Sequence, residues 1–356
     1  MTRATRAEIN LSALRHNLEV ARSHSQSKQM AIIKANGYGH GIVEVARALS
    51  KADGFGVATI NEAITLRESG VYQPILLLEG FNRREDLVLI HAYDLDCGIH
   101  NEEQVAILEK YASEKIKVWL KIDTGMHRLG FAPDQVKSIH QRLRAIDHVQ
   151  QPITLMTHFA CADDRQSDYT KQQQTAFEEV TSEFASAPKS MANSAGLLGW
   201  VDTHADWVRP GIMLYGSSPF VGGKASDDDL QPVMTLKSEI IAINNFKKGD
   251  SIGYGQSYTC DADMPVAVIA VGYGDGYPRH AVSGTPVLIN GQQVPLIGRV
   301  SMDMITVDVR GTKAKVGDEV TLWGEGLPVE LIAEKAGTIS YELFCGVTQR
   351  VNFFYA

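Results

Sequence analysis

The stretch AIIKANGYGHG, residues 31–41, decides how the chain is read. Ala31, Ile32 and Ile33 read as a short buried strand that ends on Lys34, and Asn36, Gly37, Tyr38 and Gly39 follow at once as a turn. Removing an ammonium group from water is expensive. A lysine that closes an apolar run is therefore either the solvated end of a strand or a group mounted there for chemistry. The rest of the sequence decides between the two.

MAIIK (30–34) is the first of eight similar runs; the others are GFGVAT (54–59), PILLLE (74–79), LDCGIH (95–100), KVWLKID (117–123), ITLMTHF (153–159), SMANS (190–194) and GIMLYG (211–216). They are continuous rather than alternating, as in strands covered on both faces. Helical segments lie between them. Val43, Ala46 and Leu49 recur three apart, Asn61 and Gly70 bracket one segment as cap and stop, and Asn101 precedes two acidic residues. Eight such β–α units in about 220 residues are the content of a TIM (β/α)8 barrel. An open doubly wound sheet uses the same units, but its GxGxxG fingerprint after the first strand is missing.

Near residue 225 the texture changes, with VGGKASDDDLQP (221–232) as the break. Strand-like runs follow, NGQQ (290–293) reads as a hairpin turn, and short helices are predicted in PVELIAEKAG (328–337) and ISYELFCGV (339–347). The fold class is thus α/β: a barrel domain over 1–228 and a mostly β domain over 229–356. A length of 356 residues suits two cores better than one. The net charge of −8 gives no electrostatic reason to expect nucleic acid or an anionic membrane as partner. No secretory h-region and no apolar run of membrane-spanning length is present. Cys97, Cys161, Cys260 and Cys345 are far apart and form no CxxC, and there is no HExxH, so no metal site is expected and a reducing cytoplasm fits.

TIM barrels carry their chemistry at the C-terminal ends of the strands. Those ends hold Lys34, Glu79, His100, Asp123 leading into Arg128, His158, Ser194 and the Arg209-Pro210-Gly211 turn before the last run. A lysine beside arginines can be lowered from its usual pKa of about 10.4 and become an amine nucleophile. Arginine forks and small turns suit phosphate, so the set points to pyridoxal 5′-phosphate (PLP). A Schiff-base aldolase needs similar parts, with Lys121 as a rival lysine. In the second domain, Tyr254 and Tyr273 sit in glycine-rich turns, and Met302 and Asp303 stand at a strand start.

Together these stretches resemble the alanine racemase family. The carriers are KANGYGHG (34–41), KIDTGMHRLG (121–130), THFACAD (157–163), NSAG (193–196), WVRPGIMLYG (207–216), GYG (253–255), VGYGDGYPR (271–279), GRVSMDM (298–304) and ISYEL (339–343). The resemblance implies a PLP enzyme that interconverts L- and D-alanine as a head-to-tail homodimer, each site lying between one subunit's barrel and the other's β domain. Lys34 is similar to the Schiff-base lysine, and Tyr38, Ser194, Gly211, Ile212 and Tyr341 to the phosphate contacts. Arg209 matches the arginine at the pyridine nitrogen, and Arg128 the one near the substrate carboxylate. Lys121 resembles a lysine that is carbamylated in family members. His158 matches a partner of the catalytic tyrosine, Tyr254, which with Tyr273, Met302 and Asp303 reaches in from the neighbouring subunit. Racemisation needs a proton to leave one face and arrive on the other, so Lys34 and Tyr254 are expected as two bases on opposite faces. A positively charged His158–Arg209 environment is expected to bring the Tyr254 phenol toward neutrality, and Gly37 and Gly39 to leave room for phosphate beside Tyr38. A broad-specificity racemase, a decarboxylase of the same architecture and a single-domain PLP-binding homeostasis module are the alternatives. The decarboxylases place a carboxylate where Arg209 stands.

Overall fold

The computed structural model describes residues 3–356. After β1 (Arg6–Ile9), eight parallel strands close a barrel: β2 (Lys28–Ile32), β3 (Gly54–Val57), β4 (Ile75–Leu77), β5 (Asp96–Ile99), β6 (Val118–Lys121), β7 (Thr154–Met156), β8 (Lys189–Ser190) and β9 (Trp207–Val208). The ring closes where Lys28 of β2 pairs with Trp207 of β9. The first seven barrel strands overlap the expected runs, but the eighth does not. Ile212–Tyr215 is a 3₁₀ turn, and the strand is Trp207–Val208, ahead of Arg209. Pro210 has no N–H to give a ladder, so the extended run stops before it. The apolar residues beyond are buried instead as a turn, with the Tyr215 hydroxyl donating to the Ile32 carbonyl at 3.1 Å. Arg209 therefore stands directly at a strand's C-terminal end. A second correction concerns the cap of the helix Ile60–Glu68. Thr59, not Asn61, caps it, in a capping box with Glu62.

The second domain comprises β10 (Met234–Phe246), β11 (Ser251–Ile252), β12 (Tyr258–Thr259), β13 (Met264–Ile269), β14 (Pro286–Ile289), β15 (Gln292–Ile297), β16 (Ile305–Asp308), β17 (Glu319–Trp323) and β18 (Asn352–Tyr355). Its main sheet runs β13-β16-β15-β14-β17-β10-β1-β18, and β13 also pairs the far half of β10, so six strands close on themselves. The β14–β15 hairpin turns where expected, at Asn290 and Gly291, both left-handed at φ 51° and 78°. β1 lies between β10, antiparallel, and β18, parallel. The chain thus enters the second sheet before it builds the barrel. Four-residue strands such as RAEI and NFFY carry no periodicity long enough to announce themselves.

One apolar core runs through both domains. They meet where the loop after Lys34 packs on the helix Ser340–Gly346. At Gly39, φ is +77°, and a Cβ there would sit 2.2 Å from the Phe344 carbonyl oxygen. Gly39 is thus required for close approach between domains, and the expectation that it clears space for phosphate is corrected. Gly39→Ala is expected to cost about 2 kcal/mol or more from left-handed strain and overpacking together. A lowered urea unfolding midpoint is the measurement.

Candidate active site

The strand β2 ends at Ile32, two residues earlier than expected, and Lys34 opens a left-handed turn. Ala35, Asn36, Gly37 and Tyr38 have φ values of 53°, 55°, 63° and 47°. Each non-glycine residue in this region costs roughly 1–2 kcal/mol, and such strain concentrates at functional sites. Side chains hold the turn in place. The Ala35 amide donates to Glu62 Oε1 at 2.6 Å, and Asn36 Oδ1 accepts from the Ile42 amide at 3.0 Å. His40 Nδ1 donates to the carbonyls of Gly37 (3.1 Å) and Tyr38 (2.8 Å). The Tyr38 ring packs on Tyr215 and Tyr341, with centroids 4.7 and 5.7 Å away.

Lys34 and Tyr38 consequently face one cavity of about 500 Å³ at the strand ends. It is also lined by Lys121, Arg128, His158, Ser194, Arg209, Gly211, Ile212 and Tyr341, so with Glu79 eleven residues singled out from the sequence come together. Ile32, Leu78, Leu129, Met156, Thr157 and Asn193 complete the lining with Glu79, the sole carboxylate among the lining residues. The inward-facing apolar residues gave no separate signal, because on a strand they look like any core position.

Arg209 sets the electrostatics. It is 5% exposed and donates to neutral acceptors: Ser190 Oγ and the Thr157 carbonyl at 2.5 Å each, and the Met191 carbonyl at 3.2 Å. Burial draws its pKa down to about 10, which leaves it a cation at neutral pH. It also donates to His158 Nδ1 at 3.4 Å, which assigns the remaining imidazole proton to Nε2. Burial, and then Arg209, Lys121, Arg128 and Lys34, hold the His158 pKa well below its usual value. The expectation of a positively charged His158 is therefore corrected: the imidazole is neutral, and of the pair Arg209 alone carries charge. Burial and the same arginines draw Lys121 down to about 8. Burial raises Tyr38, and pushes Tyr341 up to about 12, so both phenols stay protonated donors.

These residues fit an anionic, phosphate-bearing ring. Lys34, Arg128 and Arg209 face only Glu79 as counter-charge among the lining residues. A cradle is open beside Tyr38 because position 211 is glycine; a Cβ there would come within 3.0 Å of Tyr38 Oη. Ser194 Oγ fixes that backbone by accepting the Gly211 amide at 2.8 Å.

Tyr254, Tyr273, Met302 and Asp303 do not line the cavity of their own chain. Tyr254 is 69% exposed, Met302 52% and Tyr273 41%, so three large side chains of the second domain stand open to solvent. The Tyr273 amide donates to the Ser301 carbonyl at 3.1 Å and the Gly274 amide to the Met302 carbonyl at 2.8 Å, so the two loops form one ledge. Arg350 pairs with Asp303 at 2.5 Å.

A parallel barrel that mounts a lysine in a cationic cavity, joined to a closed β domain, defines a two-domain class of barrel enzymes. The chain belongs to the alanine racemase family: residues 9–219 match "Alanine racemase, N-terminal domain" and residues 233–355 "Alanine racemase, C-terminal domain". It is 52% identical to an alanine racemase of Coxiella burnetii (strain RSA 331 / Henzerling II), with 99% of each chain covered. It is 50% identical to one of Shewanella sp. (strain MR-7), with 97% of each covered. Among solved structures, the biosynthetic alanine racemase of Pseudomonas aeruginosa superposes with a TM-score of 0.97 at 41% identity, and that of Acinetobacter baumannii with 0.95 at 37%; all of each chain is covered.

The neutral state of His158 is open to direct measurement. In protein carrying labelled histidine, its ring resonance is expected to stay fixed as pH is lowered from 8 through about 6.5, where an ordinary histidine titrates. Because its folded pKa is depressed, His158 stabilises the fold above about pH 6.5, and that contribution is lost as pH falls below it.

Proposed function

We propose that this chain interconverts L- and D-alanine with PLP held in the barrel cavity, and that two copies build each site. The observation that carries this reading is the meeting in one cavity of Lys34, the buried Arg209 and the Tyr38–Ser194–Gly211 cradle. The identities of 50% and more to alanine racemases support alanine as substrate. Lys34 Nζ would hold the aldehyde carbon of PLP, and Tyr38, Ser194, Gly211, Ile212 and Tyr341 its phosphate. Arg209 would donate at the ring nitrogen, and Arg128 would orient the amino-acid carboxylate. When bound, the group supplies an electron sink that lets the α-proton leave.

Inversion requires that proton to depart from one face and return on the other, which one base is poorly placed to do. Lys34 Nζ serves one face. Tyr254 Oη of a second copy serves the other, taking the proton from L-alanine while Lys34 takes it from D-alanine. The exposure of Tyr254, Tyr273 and Met302 supports this sharing, since neither they nor Asp303 line the cavity of their own chain. His158 offers its Nε2–H as a neutral donor, and Arg209 supplies the positive field that favours the ionised phenol. Arg209, a cation at neutral pH, can only donate at the ring nitrogen, which counts against the decarboxylase reading.

A Lys121 amine with a pKa of about 8 has a substantial neutral fraction and can add to CO₂. The N–C bond forms, one proton is released, and the resulting carbamate places an anion among Arg128, Arg209 and Lys34. Four unpaired cysteines suit a reducing compartment, the cytoplasm.

Polarimetry tests the activity. With PLP and L-alanine, optical rotation is expected to decay to zero; a flat trace from cofactor-loaded protein would overturn the reading. The division of labour is tested in D₂O. Tyr254→Phe is expected to slow α-hydrogen exchange from L-alanine by about 100-fold or more, while exchange from D-alanine persists. Refolding Tyr254→Phe together with Lys34→Ala is expected to restore racemisation absent from either variant alone, because one mixed dimer site then has both bases intact.

A further inference from the structure

We propose that Glu62 is a positioning residue for Lys34: its carboxylate holds the first amide of the left-handed turn and so fixes where the lysine enters the cavity. The proposal rests on the reading of Lys34 as the proton-moving amine. Glu62 collects three backbone donors on two oxygens. Oε1 accepts from Ala35 at 2.6 Å, and Oε2 from Ala58 at 2.9 Å and Thr59 at 3.1 Å. Capping the helix Ile60–Glu68 accounts for the Thr59 bond alone. The Ala35 bond reaches across to the neighbouring β–α loop, twenty-seven residues back in sequence, and lands one residue past Lys34.

Among side chains of this length only a carboxylate presents acceptors on both terminal atoms. A glutamine has the same shape but one oxygen, so its NH₂ must confront either the Ala35 amide or the Ala58–Thr59 pair. The conformation it would release is a rare one. Three non-glycine residues with positive φ follow Lys34, and a turn of that kind persists only where its surroundings over-determine it. His40 clasps its far end through two carbonyls; Glu62 clasps its near end. Freed at Ala35, the backbone relaxes toward ordinary φ values and swings Lys34.

A merely structural role in the helix cap predicts something different, and Thr59→Ala isolates it. That variant removes the hydroxyl that accepts the Glu62 amide at 3.3 Å and leaves the carboxylate free to keep its three donors. The experiment compares full-length, PLP-loaded wild type, Glu62→Gln, Glu62→Ala and Thr59→Ala by amide hydrogen exchange over residues 34–41 and by kcat and KM for L-alanine. Both Glu62 variants are expected to exchange faster across the turn and to lose about tenfold or more in kcat, with KM moving less than kcat. Thr59→Ala is expected to lower Tm and leave turn exchange and kcat as in wild type. If Glu62→Gln matches wild type or Thr59→Ala in exchange and kcat, or shifts KM alone, the positioning role is overturned while the reading of Lys34 stands. If Lys34→Ala still racemises alanine, the reading of Lys34 falls and the positioning role with it, whatever the exchange pattern.

Discussion

A guanidinium buried without a carboxylate beside it is the constraint around which the rest of this site is organised. Arg209 is held by hydroxyl and carbonyl oxygens, which satisfy its N–H groups and leave its charge uncompensated. Burial first, and Arg209 after it, move two neighbours in the same direction: His158 gives up its proton, and Lys121 holds its proton weakly. Uncompensated buried charge is expensive, and a bound anion removes much of that expense. The cavity is thus unfavourable to itself and favourable to a phosphate-bearing ligand, which is how affinity is stored before any ligand arrives. The same field reaches any phenol brought to the mouth of the barrel and makes its ionisation easier.

The second requirement is geometric. A flexible lysine side chain presents its amine accurately only if its backbone is fixed, and here the backbone is fixed in a conformation that most residues avoid. The turn is held by the Glu62 carboxylate from the next β–α unit, by tilted aromatic rings packed against Tyr38, and by the second domain through Gly39 and Phe344. Strain at one place is offset by packing at several others. The barrel and the β domain are therefore mechanically joined at the residue that matters most for chemistry.

Much of this was legible in the sequence. Continuous apolar runs announced strands covered on both faces, and the polar residues closing those runs named the rim, so eleven of the cavity residues were readable from spacing and resemblance together. What was not legible shares a cause. The left-handed turn, the true eighth strand and the neutral His158 depend on contacts between residues distant in sequence. KANGYGHG contains glycines that permit a tight turn, but Ala35 and Asn36 carry no mark of positive φ; it is Glu62 and Ile42 that place them there. Likewise the charge state of an imidazole is set by what surrounds it, and burial together with four cations from three strand ends cannot be seen from the letters around His158. The strand β9 was misplaced because an apolar run after Pro210 looks the same whether it is extended or wound into a turn.

The pairing of β1 with β18 has a consequence for how the molecule is made. Every barrel strand lies between residues 28 and 208, so the barrel's ladder can be completed as soon as that stretch has left the ribosome. The second sheet cannot. Its earliest strand, Arg6–Ile9, finds its partners only at residues 234–237 and 352–355. At synthesis rates of about 5–20 residues per second, that strand stays single for many seconds with its neighbours not yet made. The barrel is in effect an insertion in the β domain, and β1 is made before the barrel but secured only after it.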